Sequence, residues 1–194
     1  DNSYDTWNAY DNQSWPAAYL IDAAGQIRHV SIGEGDYTGE EQLIRQLLTA
    51  ARPGAVLPKP TELPDTTPTD PDQTQETYLG AEREQGYAGG RGYTTGQFTL
   101  PASLPAGSYG LSGAWTVGQE SITAGRAARI ELAFHAADVY LDVGGTGTLT
   151  VSSGGTSRVI RVSGAPDIYT AATEQPAGNG TVTIGLSPGL QAYS

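Results

Sequence analysis

The sequence predicts a short mixed α/β segment, a proline-rich stretch, and then an all-β sandwich or jelly roll. Three observations carry that reading. Trp15-Pro16 leads into the apolar run 17–21, a glycine turn at Gly25 and the alternating run 27–32, which together read as a β-hairpin. Six of the twelve prolines fall between positions 53 and 71. Residues 76–194 hold 21 of the 26 glycines, and alternating apolar runs recur there about every 10 residues.

The elements follow in chain order. Residues 4–10 read as a short helix with Trp7 and Tyr10 on one face and Ser3 or Asp5 as its cap. After the hairpin, Asp36 or Thr38 is placed to cap a second helix, and Glu40-Glu41 put negative charge in its first turn. Leu43, Ile44, Leu47 and Leu48 form its apolar stripe, and Pro53 ends it. Residues 1–52 thus make one block and 53–75 an extended, semi-rigid linker. In the third block, 76–194, the runs 98–100, 109–115, 128–134, 138–143, 147–151, 157–162 and 180–186 predict seven or eight short strands.

Composition narrows the function. The net charge of −11 disfavours nucleic acid and anionic membrane surfaces, which need clustered basic side chains. With 38% hydrophobic and only 16% charged residues, the chain suits a packed core rather than a disordered acidic tail. It contains no run of about 18 apolar residues and no signal-peptide pattern. It also contains no methionine, so any targeting element or membrane anchor is expected upstream of Asp1. It has no cysteine, which rules out a disulfide or a thiol nucleophile within these residues.

The candidate sites differ in strength. Pro16 has no N–H and leaves a strand edge open to a guest peptide, with Trp15 lining the groove; the bond between them reads equally as cis or as a trans turn. Glu34 and Asp36 read as solvated or helix-capping carboxylates, and Gly33-Glu34-Gly35 lacks the Lys-Ser/Thr of a phosphate loop. His29 and His135 are too few for a zinc site, and no Gly-x-Ser-x-Gly elbow is present. Asp138 and Asp142 lie outside any calcium-loop pattern. For a saccharide, Tyr87 and Tyr93 in the glycine-rich loop 86–93 are the candidate exposed stacking rings, with packing of the loop as the alternative, and Arg91 is the candidate hydroxyl donor, whereas Trp115 reads as core. No cofactor is implied.

The residues 15–29, from Trp15-Pro16 through Tyr19, Asp22 and Gly25 to Arg28-His29, then Gly33-Glu-Gly-Asp-Tyr37, resemble the cis-proline half of a TlpA/ResA-like thioredoxin fold, as in DipZ-type proteins of mycobacteria. Glu76-Thr-Tyr78, Gly113-Ala-Trp115-Thr-Val117, Asp138-Val-Tyr140 and Leu186-Ser-Pro188 resemble the carbohydrate-binding-module-like β-sandwich that follows it there. The resemblance implies an extracytoplasmic region of a membrane-anchored thiol–disulfide exchange protein of the cytochrome c biogenesis type. It further implies an upstream CcdA-like membrane region and disulfide-containing targets as partners, and an envelope saccharide as a ligand of the β-sandwich. The resemblance gives Pro16, in cis, and Trp15 the substrate-groove role beside a Cys pair that this chain lacks. The alternative expectation is a non-enzymatic saccharide- or protein-binding module on a thioredoxin-like scaffold.

Overall fold

The computed structural model describes residues 4–67, 71–90 and 92–194, arranged as two compact units, 1–69 and 70–194. In the first unit, helix α1 (Asp5–Ala9) precedes the hairpin β1 (Ala17–Ile21) and β2 (Ile27–Ile32), and helix α2 (Tyr37–Ala51) follows. This order is the one predicted. The cap of α1 is not: Tyr4 occupies that position with a left-handed backbone and no side-chain bond, Asp5 lies inside the first turn, and Ser3 lies outside the described residues. Asp36 caps α2 as expected, its carboxylate accepting the Gly39 N–H at 3.2 Å.

The hairpin is an isolated two-stranded antiparallel sheet in which Tyr19 faces Val30 and Leu20 faces His29. Its turn is pinned by Asp22, whose carboxylate accepts the N–H groups of Ala24 and Gln26 and pairs with Arg28 at 3.1 Å. The stretch expected to be an extended, semi-rigid linker makes hydrogen bonds to α2 and to its cap. Thr61 N–H donates to Glu41 at 2.9 Å, and Asp65 accepts the Asp36 N–H at 3.0 Å. The prolines keep this stretch extended, but exposed carboxylates and free N–H groups give it partners.

The second unit is one six-stranded antiparallel sheet: β3 (Gly96–Phe98), β4 (Tyr109–Val117), β5 (Ile122–Ala124), β6 (Arg129–Ser153), β7 (Thr156–Leu186) and β8 (Gln191–Ala192). Six strands replace the predicted seven or eight. Five of the predicted short strands merge into β6 and β7, because backbone pairing continues through bulges near Asp138, Tyr140 and Gly145 instead of stopping at the glycines. The first strand ends at Phe98, two residues before its predicted end, and the short β5 and β8 lack an alternating signal long enough to read. One half of β4 pairs with β6 and the other with β5, β5 pairs with β8, and β8 pairs with β6, so the pairing runs in a circuit. The fully buried apolar side chains described in the molecule all lie in this unit, among them Trp115, Leu111, Ile122, Val143, Val182 and Leu190.

Candidate functional site

The Trp15-Pro16 step sits where chain direction changes between α1 and β1. Asn12, a buried polar residue, organises the approach: its Nδ2 donates to the Ser14 carbonyl at 2.9 Å, and its Oδ1 accepts the Tyr19 hydroxyl at 3.0 Å. Tyr19 in turn meets Tyr10 edge-on, with ring centroids 4.9 Å apart. Asn12 thus ties the loop before Trp15 to the strand after Pro16. Sequence reading missed it, because a lone Asn near a helix end is an ordinary turn residue; its fit to Tyr19 shows only in three dimensions.

The Trp15–Pro16 bond is cis, Trp15 is 89% exposed, and Pro16 is also exposed. The Pro16 carbonyl accepts the Gly33 N–H at 2.9 Å. Gly33 has φ +84°, a backbone that suits glycine. The two motifs singled out in the sequence, Trp15-Pro16 and the loop 33–37, are therefore joined by one backbone bond. Within that loop Glu34 is exposed and Asp36 is committed to capping α2, so the two carboxylates do not act as a pair. His29 lies in β2 opposite Leu20, and His135 lies in β6 with its Nδ1 3.1 Å from the Asn179 Oδ1.

Two carboxylates of the first unit, Asp22 and Glu41, are held in their charged form. The Gln26 N–H, then the Ala24 N–H and the Arg28 guanidinium, keep Asp22 below the usual range. The Thr61 N–H, with Arg45, does the same for Glu41. These groups are structural clips and have no proton to donate near neutrality.

In the second unit the candidate stacking rings are otherwise engaged. Tyr87 and Tyr93 meet edge-on at 4.9 Å, both contact Phe98 and Tyr109, and both are half-buried against the core. The Tyr93 hydroxyl donates to the Leu79 carbonyl at 2.7 Å. Of the two readings of these rings, exposure and loop packing, the structure has packing: aromatic area is buried where the hydroxyls still find partners. Arg91 lies outside the described residues. Trp115 is core, with its indole N–H on the Ser112 carbonyl at 2.9 Å. The exposed ring is instead Tyr140, in β6. Asp142 sits on the same strand as Asp138, and among the described residues no three acidic or histidine side chains are placed to hold a metal ion. No described helix is long and apolar enough to cross a membrane.

The strand-rich unit defines the class. Residues 74–194 match the thioredoxin-like C-terminal domain family, and the chain belongs to that family. Over its whole length the chain is also similar to Protein DipZ of Mycobacterium bovis and Protein DipZ of Mycobacterium tuberculosis, 44% identical over 199 aligned positions in each case. The alignment covers all of this chain and 28% of each relative, so the chain spans little more than a quarter of the length of the curated relatives it matches. Together these matches mark a DipZ-type thioredoxin-like region.

Proposed function

We propose that this chain is the target-presenting part of an extracytoplasmic thiol–disulfide exchange protein. The observation that carries this is the exposed Trp15 beside Pro16, at the head of a two-stranded hairpin whose outer edges pair with no other strand among the described residues. The similarity to DipZ along the whole of this chain supports the same reading. An open strand edge supplies backbone partners to an extended peptide, and an adjacent large ring supplies contact area. The chain has no cysteine, so the attacking thiolate belongs to residues outside it. That thiolate attacks one sulfur of a target disulfide; the target S–S bond breaks as a mixed disulfide forms, and the released target thiolate takes up a proton. A second thiol then resolves the mixed disulfide, leaving the target reduced and the thiol pair oxidised. A CcdA-like membrane region is the proposed source of the electrons that restore the pair.

The second unit reads as a jelly-roll-type sandwich, supported by the pairing circuit through β4, β5, β8 and β6. Its proposed role is to hold the redox part on a partner or an envelope saccharide. Cysteine-free composition favours one alternative, a binding module in which the hairpin and α2 are scaffold only.

The test is reduction of a protein disulfide by the longer, cysteine-bearing protein, with and without Trp15→Ala. The expected result is a loss of about tenfold in kcat/KM, on the scale of one exposed aromatic anchor. This chain alone is expected to be inert in the same assay. An unchanged rate in the variant removes Trp15 from the site, and absence of any exchange by the longer protein leaves the binding-module reading.

A further inference from the structure

We propose that the outward face of the second unit around Tyr140, Ile168 and Asp142 docks a lysine- or arginine-bearing extended segment of a partner protein. The site rests on the partner-holding role proposed for this unit and gives that partner its chemistry. It is separate from Trp15-Pro16 and from thiol exchange.

The strand register builds the face. β6 and β7 pair without a break from Tyr140 and Thr170, through Leu141 and Tyr169, to Asp142 and Ile168. Leu141 and Val143 are buried in the core, so the alternate positions Tyr140 and Asp142 face outward. Their partners Thr170 and Ile168 share that face. Tyr140 is 55% exposed and Ile168 66%, and they are diagonal neighbours across the two strands. Two large apolar side chains thus stand in solvent beside a half-buried carboxylate.

Asp142 is satisfied in its backbone and not in its side chain. Its N–H donates to the Ser194 carbonyl at 2.8 Å, and its carbonyl accepts the Tyr193 N–H at 3.0 Å. Its Oδ1 is buried with no hydrogen-bond partner among the described residues. Asp167 and Glu76 add negative charge nearby, and none of the three forms an ion pair among the described residues. Asp167 accepts the Ile168 N–H at 2.8 Å and Glu76 the Tyr78 hydroxyl at 2.8 Å, which leaves each carboxylate further lone pairs. Arg158 reaches the edge of the face but is spent on backbone. Its Nη2 donates to the Thr170 carbonyl at 2.7 Å and the Ala171 carbonyl at 3.3 Å. A guest cation is therefore directed to the Asp142 end.

The face selects its guest. A buried acceptor without a donor is costly, and a positively charged N–H donor answers both the missing bond and the surrounding negative charge. A metal ion does not fit, because among the described residues no three acidic or histidine side chains are placed to hold one. An anion meets repulsion, and a purely apolar guest leaves the carboxylate bare. Lysine and arginine match both halves. Their apolar stems lie along Tyr140 and Ile168, their heads reach the carboxylates, and the tyrosine ring adds attraction for the cation. An extended segment presents such side chains on one side at every second position.

The test is an amide NMR titration of the full 194-residue chain. The probes are acetyl-Gly-Lys-Gly-Lys-Gly-amide, its arginine counterpart, and versions with leucine or glutamate in place of lysine. A cationic peptide is expected to shift amides 138–142 and 167–170 saturably, with a dissociation constant on the order of 1 mM at low salt. Added salt is expected to weaken it. Asp142→Asn is expected to weaken binding about fivefold while raising the thermal midpoint; an aspartate with only a structural role would not move the two in opposite directions. Tyr140→Ala is expected to weaken binding about threefold. Glu131→Gln, at the position paired with Thr183, is expected to leave binding unchanged. The proposal is overturned if neither cationic peptide saturates these amides by about 10 mM, or if the leucine or glutamate peptide binds there as well as they do. It is equally overturned if Glu131→Gln weakens binding as much as Asp142→Asn, which would mark general attraction to an acidic surface. Saturation of other amides of the second unit would overturn this site and leave the partner-holding role standing.

Discussion

The hydroxyl of Tyr109 donates to the hydroxyl of Tyr93 at 3.0 Å, and the Tyr93 hydroxyl in turn donates to the Leu79 carbonyl at 2.7 Å. Tyr109 is almost wholly buried, as is Leu79, so this short relay satisfies polar atoms inside a cluster of four aromatic rings. The two tyrosines are not equivalent. Removing the Tyr93 hydroxyl strands a buried carbonyl and takes away the nearer acceptor of Tyr109, whereas removing the Tyr109 hydroxyl leaves Tyr93 bonded to Leu79. Tyr93→Phe is therefore expected to cost about 1–3 kcal/mol and Tyr109→Phe about 1 kcal/mol. Denaturant unfolding of both variants checks the order; the reverse order removes the relay from the account.

The same burial predicts alkaline weakening. Burial is the largest cause that lifts the Tyr93 phenol to about 12 from its ordinary 10, partly opposed by the Tyr109 hydrogen bond. Tyr109 is raised further, again chiefly by burial and then by Tyr93. Between those values the unfolded chain loses protons that the folded one keeps. The stabilisation is thus complete below about pH 10 and is lost as pH rises through the folded values. The unfolding midpoint is expected to fall above about pH 10, and less steeply in Tyr93→Phe.

Much of the first unit was legible because its signals are local: the Trp15-Pro16 step, the glycine turn, the Asp36 cap and the stripe on α2 each act over a few residues. The second unit's strands were visible but not their joining, since a glycine that bends a strand and a glycine that ends one look alike in sequence. Tyr87 and Tyr93 were candidates for exposure because their neighbours are glycines, yet Phe98 and Tyr109, up to 22 residues away, cover them. Asn12 and Arg158 escaped notice for the same reason: their partners are fixed by folding and not by spacing.

Asp142 carries an unresolved charge. Its Oδ1 is buried with no hydrogen-bond partner, and burial, then the nearby Asp167 and Glu76, push its carboxyl up. A raised carboxyl means that the charged form weakens the fold, so the stabilisation is full at low pH and is lost as pH rises through the folded value. Asp142→Asn is expected to raise the thermal midpoint at pH 7. The gain should vanish below about pH 4, where the acid is protonated in both states. A midpoint that falls at pH 7 would show that the charge is compensated.

The two units should differ in independence. No apolar side chain among the described residues of the first unit is fully buried, and Ile27, Val30, Ile32, Ile44 and Leu48 are all exposed. A two-stranded hairpin with one supporting long helix does not reach a stable core. A fragment of residues 1–67 is expected to melt without a cooperative transition, whereas 70–194 melts cooperatively. Circular dichroism on both fragments decides it; a sharp transition in the first would mean that its exposed apolar surface is no obstacle to folding.

Gly180 faces Phe134 across the β6–β7 ladder, and a Cβ built on Gly180 would lie 2.5 Å from the tip of that ring. Phe134 is buried, so its ring lies over the glycine in place of a side chain. The strain in Gly180→Ala is therefore steric and belongs to one contact. The variant is expected to lose about 1–3 kcal/mol, the range for overpacking a close-packed interior. Shortening the ring should relieve it: in the Phe134→Leu background the same Gly180→Ala change is expected to cost less than in the parent. A double-mutant cycle by denaturant unfolding measures the difference as a coupling energy between the two positions. Additive effects would mean that the strand shifts to make room and that the contact does not set the register.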